Sequence, residues 1–99
     1  MEVTMQAVID GKTIASEQDF HCRLAEAMDF GDHYGHNLDA LWDELTGNVE
    51  RPMTLVWKHA AASKAAMPEH FAAIVGLLEQ VAQQDRDHGW DERFELQLD

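Results

Sequence analysis

Three short runs with strand character, at residues 4–9, 53–57 and 93–98, are separated by stretches whose apolar residues recur at helical spacing. Each separation is too long for a hairpin and holds two helical patterns, so each reads as a crossover. Strands joined by helical crossovers pair in parallel, and each crossover is expected to be right-handed. The order β-α-α-β-α-α-β therefore predicts an α/β fold, a three-stranded parallel sheet packed with about four helices. With 99 residues the chain can fill one modest core, so a single domain over residues 1–99 is expected.

Local signals place the elements. Asp10-Gly11 closes the first run with turn chemistry. Ser16 is placed to cap a helix, and Asp19 three residues on gives a capping-box pattern. Phe20, Leu24 and Met28 form the buried face of that helix, and Gly31 is expected to end the unit. Asn37 is a good N-cap for a short second helix. Leu38, Leu41, Trp42 and Leu45 fall at i, i+3, i+4 and i+7, one apolar stripe, and Gly47 is positioned to stop the helix in a left-handed cap. Residues 53–57 follow Pro52 as a largely apolar run, the pattern of a strand covered on both faces. Residues 59–67 are alanine-rich and read as a short helix. Pro68 suits the first turn of a longer one, whose stripe is Phe71, Ile74, Val75, Leu78, Val81 and Ala82. Asp87, His88 and Gly89 punctuate its end, and Phe94, Leu96 and Leu98 share one side of the last run.

Charge narrows the function. Asp and Glu number 19 against 7 Lys and Arg, a formal net charge of −12. So negative a body repels phosphate backbones and anionic membranes, which argues against both as direct ligands. It favours a cationic partner, although acidity also serves plain solubility. The single cysteine, Cys22, allows no internal disulfide. Residues 1–5 carry no basic-then-apolar leader pattern, and no stretch approaches the roughly 20 apolar residues of a membrane span. A cytoplasmic, monomeric protein is the expectation.

The second helix carries the sharpest signal. Asp39 and Asp43 sit at i and i+4, so both carboxylates project from one helix face, where like charges cost a few tenths of a kcal/mol. The helix dipole partly compensates Asp39 in the first turn, but Asp43 lies beyond it. Spacing alone leaves two readings open, a solvated acidic surface or a pair kept for a cationic partner. His33 and His36 lack the third ligand that a catalytic metal site normally needs, so no metal or cofactor is expected. Cys22 reads as a small buried hydrophobe beside the first stripe. His21, His59, His70 and His88 read as surface residues, Trp57 as core, and Trp90 lies in a polar stretch that gives it no place.

The run from Tyr34 to Gly47, Tyr-Gly-His-Asn-Leu-Asp-Ala-Leu-Trp-Asp-Glu-Leu-Thr-Gly, resembles the signature of the barstar family, inhibitors of secreted microbial ribonucleases. The likeness extends to Val8-Ile9-Asp10-Gly11, to Val49-Glu50 and Pro52, to the strand ending at Trp57, and to Ser63-Lys64. It covers about residues 7–83, with the last strand similar only in pattern. The resemblance implies a barstar-like fold. It also implies that the second helix and the loop before it enter a nuclease active site, where acidic side chains take the place of RNA phosphates. Asp43 matches the dominant contact and Asp39 a second acidic one; Asn37, Trp42, Thr46 and Gly47 match other residues at or near the interface. In barstar itself the position of Asp43 is an established extreme among interface hot spots, so its weight comes with the resemblance.

Three positions depart from the family pattern. His33 stands where the family has an aromatic ring before the tyrosine, and Asn48 where it has a tryptophan after the closing glycine. Gln80, with Glu79 one residue earlier, stands where it has an acidic contact on the fourth helix. These leave the acidic anchor and alter its rim, which implies a nuclease of different shape. The expected partner is thus a basic, extracellular-type ribonuclease. A barstar-fold immunity or adaptor protein for another basic partner is the alternative. An enzyme working through two carboxylates is disfavoured, because hydrolases of that kind place them across a cleft.

Overall fold

A computed structural model describes residues 5–89 and 91–99, so the start of the first strand at Thr4 and the unplaced Trp90 lie outside the described residues. The chain runs β1 (Met5–Asp10), a 3-10 turn (Gly11–Thr13), α1 (Glu17–Met28), α2 (Leu38–Gly47), β2 (Met53–Lys58), α3 (Ala60–Ala66), α4 (Pro68–Asp87) and β3 (Phe94–Leu98). The sheet is parallel throughout, in the order β1-β2-β3. The α/β architecture expected from the order of periodicities is the observed one.

Register decides what the sheet buries. Ala7, Leu55 and Leu96 share one rung; Ile9, Trp57 and Leu98 share another. Side chains alternate along a strand, so these residues point to one face. On that face Ala7, Ile9, Leu55, Trp57 and Phe94 join Phe20 and Leu24 of α1, Leu41 and Leu45 of α2, and Phe71, Ile74, Leu78 and Val81 of α4 in one buried cluster. Trp57 is its centre, with ring centroids 5.1 Å from both Phe20 and Phe71. The opposite face carries Gln6, Val8, Lys58, Glu95 and Gln97, all exposed. Val56 points that way and is only 3% exposed, yet it stands outside the core cluster, between Val8 and Gln97 on neighbouring strands. Thus the middle of β2 is buried on both sides, while the described helices pack on the side of Leu55 and Trp57.

The helix ends differ from the sequence reading in instructive ways. Ser16 caps α1 as expected, its Oγ accepting from the Asp19 N–H at 3.1 Å. The Asp19 carboxylate reaches back to the N–H of Ala15, one residue before the usual partner. Helix α1 stops at Met28, ahead of Gly31: Asp29 takes the left-handed conformation (φ 56°), which a short polar residue tolerates, and its N–H donates to the Ala25 carbonyl. Gly47 does not form a left-handed cap. It is the last residue of α2, and Asn48 follows in right-handed geometry. The end is finished in two other ways: the N–H groups of Asn48 and Val49 donate to the Glu44 carbonyl, and the Arg51 guanidinium takes the Leu45 carbonyl of the last turn and the Val49 carbonyl just beyond it. The Arg51 Nη1 donates to Leu45 O at 2.6 Å and to Val49 O at 2.7 Å.

The same guanidinium is gripped by Asp85 of α4, Nε to Oδ2 at 2.9 Å. Asp85 is buried, and its Oδ2 also accepts from the backbone N–H of Phe94 at 2.8 Å. One buried ion pair therefore joins the end of α2, the last turns of α4 and the start of β3. At the other end of the molecule, Gly11 lies against the backbone at His59, where an added Cβ would come within 2.1 Å of the His59 carbonyl oxygen. Only glycine allows that approach, and Ser63 Oγ donates to the Gly11 carbonyl at 3.1 Å.

Candidate protein-binding site

Helix α2 is mounted at three points. Asn37, extended at φ −144°, caps it, with Oδ1 accepting from the Ala40 N–H at 2.8 Å. Leu41 and Leu45 are fully buried, while Leu38 and Trp42 pack half-buried against the core. Arg51 holds the Leu45 carbonyl of the helix's last turn. The apolar stripe fixes which way the rest of the helix faces, and Asp39 and Asp43 are both exposed one turn apart. Thr46, Gly47 and Asn48 continue the exposed surface, and Thr46 Oγ1 donates back to the Trp42 carbonyl at 2.7 Å.

The loop before α2 is pinned to α1 by an aromatic and imidazole cluster. Tyr34 is buried, and its hydroxyl is hydrogen-bonded to His21 Nδ1 at 2.6 Å. Phe30 and His36 flank the Tyr34 ring at centroid distances of 4.9 and 5.1 Å. His36 adopts φ 53°, and its Nδ1 lies 3.2 Å from Gln18 Nε2. Burial pushes the Tyr34 hydroxyl far above the ordinary phenol range, with Glu44 and Glu17 adding to the shift. Burial likewise pulls His21 below the ordinary imidazole value; Glu17 opposes this and His36 reinforces it. Thus His21, expected at the surface, is fully buried, and its Nε2 has no hydrogen-bond partner. Cys22 is half-buried, 3.4 Å from Gln18 Nε2 and 4.0 Å from His36 Nδ1.

Of the residues singled out in sequence, His33, Asn37, Asp39, Asp43, Thr46, Gly47 and Asn48 are exposed, and Trp42 is half-buried; all lie on α2, at its two caps or, for His33, in the loop before it. Gln80 is exposed on α4, where it lines a groove with Glu79, Glu95 and Leu96. That groove shares no residue with α2 or its loop. Among the described residues no group of three or more His, Cys, Asp or Glu side chains is placed to hold a metal ion. No described helix is long and apolar enough to cross a membrane.

Two supports of the site went unread in sequence, and each left a trace. His21, Leu24 and Met28 stand at i, i+3 and i+7, so His21 shares the helical face of two apolar residues. Asp85 extends the α4 stripe three and four residues beyond Ala82 and Val81, and a charge on such a stripe calls for a buried partner.

Fold and surface together define the class: an acidic α/β protein that displays a carboxylate pair on a helix braced at both ends. The chain belongs to the barstar family, whose model, described as Barstar (barnase inhibitor), matches residues 4–97. It is 35% identical over 80 residues to the Bacillus subtilis (strain 168) protein named "Putative ribonuclease inhibitor YrdF", a match that spans 81% of this chain and 88% of that protein.

Proposed function

We propose that this protein is a ribonuclease inhibitor that plugs the basic active site of a small, extracellular-type microbial ribonuclease. Membership of the barstar family and the name of the Bacillus subtilis relative support the reading. The observation that carries the mechanism is the exposed Asp39 and Asp43 pair on a helix fixed at both ends. The two carboxylates stand in for RNA phosphates and pair with Arg, Lys and His of the nuclease, a charge-assisted contact that strengthens as water leaves the pocket. A preorganised helix binds with little ordering cost. His33, Asn37, Trp42, Thr46, Gly47 and Asn48 form the rim, with Gln80 as an outlying contact. The chain acts as a monomeric single domain, by occupancy and not by turnover.

The test is titration into a barnase-type ribonuclease while RNA cleavage is followed. Stoichiometric inhibition is expected. Asp43→Ala should weaken it by at least about 2 kcal/mol, a roughly 30-fold rise in Kd, since a central desolvated charge is a hot spot. The urea midpoint should stay unchanged, because Asp43 is exposed. Equal losses of stability and binding would overturn the assignment of Asp43. Full inhibition by the variant would overturn the mechanism. Absence of inhibition by folded protein would favour the second reading, a barstar-fold adaptor for another basic protein, to which the altered residues His33, Asn48 and Gln80 point.

A further inference from the structure

We infer that the groove between α4 and the free edge of β3 docks an extended, cationic segment of a partner protein, which pairs with β3 as a fourth strand. The backbone sets the geometry. Arg93 O accepts from Met53 N–H, and Asp99 N–H donates to Trp57 O, so the odd-numbered residues of this segment turn their peptide groups toward β2. By alternation Phe94, Leu96 and Leu98 turn theirs outward. Asp85 takes the Phe94 N–H. Among the described residues no strand pairs with that side of β3, so the N–H and C=O groups of Leu96 and Leu98 face an open edge, the template that an added strand uses.

The groove beside that edge has a volume of about 700 Å3 and is lined by α4 and β3. Leu96 and Leu98 give it an apolar side, Leu98 being 43% exposed. Glu79 is an acidic residue of the α4 wall, and Glu95 lines the groove from β3 with its side chain on the sheet's opposite face. Among the described residues lining it the one cation is Arg86, which donates to Gln83 Oε1 at 2.9 Å. Gly76 adds an independent sign. It sits inside the 20-residue α4, where glycine is a poorer helix former than alanine, yet an added Cβ would meet nothing within 4 Å. Internal packing does not require glycine there, and the position opens onto the groove. A long side chain of a docked strand fits over Gly76, and lysines or arginines on it meet Glu79 on the helix side or Glu95 on the other face. A second copy of this chain is a poor occupant, since two bodies of charge −12 repel. The inference does not rest on the reading of α2.

The probe is a short alternating Lys–Val peptide added to the whole protein, with backbone amides followed by NMR and hydrogen exchange. Saturable shifts centred on Leu96 and Leu98, with slowed exchange of both amides, are expected. A peptide with proline at its centre should not bind, and an alternating Glu–Val peptide should bind at least about tenfold more weakly. Gly76→Leu, which improves helix propensity and fills the groove, should weaken binding about tenfold while raising Tm. Asp43→Ala should leave binding unchanged. Unmoved Leu96 and Leu98 signals at millimolar peptide would overturn the inference. So would equal binding of the proline peptide, or shifts that map to α2 and vanish in Asp43→Ala. Concentration-dependent shifts of Leu96 and Leu98 without peptide would overturn it in favour of a second copy.

Discussion

Burial of an imidazole with one nitrogen bonded to Tyr34 and the other facing no partner makes His21 costly to protonate. Its folded pKa lies below the ordinary value near 6.5, with Glu17 opposing the shift and His36 reinforcing it. In the unfolded chain the residue titrates near that ordinary value. As pH falls through it, unfolded chains take up a proton that the folded protein refuses, so stability declines until the folded pKa is reached. Urea midpoints measured from about pH 7.5 down to about pH 5 should therefore fall, and His21→Gln should flatten that dependence while keeping a partner for the Tyr34 hydroxyl. An identical slope in the variant would assign the acid sensitivity elsewhere. At this scale the sequence was half legible. Asn37, Asp39 and Asp43 could be placed from capping, spacing and resemblance, because those signals are local. The His21–Tyr34 bond joins residues 13 apart through the fold, so only the weak stripe pattern hinted at it.

Among the elements, α2 shows how a helix end is finished by distant residues. Asn37 closes its start from the adjacent position, but Arg51 closes its end only with Asp85 behind it. Removing one partner leaves an uncompensated buried charge, so Asp85→Ala should cost about 3–5 kcal/mol in urea denaturation. The double variant Arg51→Met with Asp85→Leu should cost less than the sum of the two single changes, since it leaves no lone charge, and additive losses would contradict the ion-pair account. Periodicity made the existence of each strand and helix readable, since 3.6-residue and two-residue patterns are properties of short windows. Helix ends were less readable: Gly31 and Gly47 looked like stops, yet Asp29 and the Arg51 clamp do that work. That the described helices all pack on one face was also hidden, because Val56 is buried outside the core cluster and in sequence reads no differently from a core residue.

Over the whole molecule, a charge of −12 on 99 residues produces a field that reaches partners before contact. Association with a basic ribonuclease should slow as salt rises, because exposed charges are screened beyond about 10 Å at 0.1 M, while dissociation should change little. Stopped-flow rates across a salt series check this, and a salt-independent association rate would remove steering from the account. Composition made this property legible at once, since charge sums need no fold. The Arg51–Asp85 clamp has a consequence in time. Its two halves lie 34 positions apart, and the carboxylate also waits for the amide of Phe94. A ribosome delivers Asp39 and Asp43 long before it delivers either, so a nascent chain carries the acidic helix with its far end unbraced. The brace at the helix's far end is complete only after residues 85 to 94 have emerged, so on the proposed reading a half-made chain should grip a partner less firmly than a finished one.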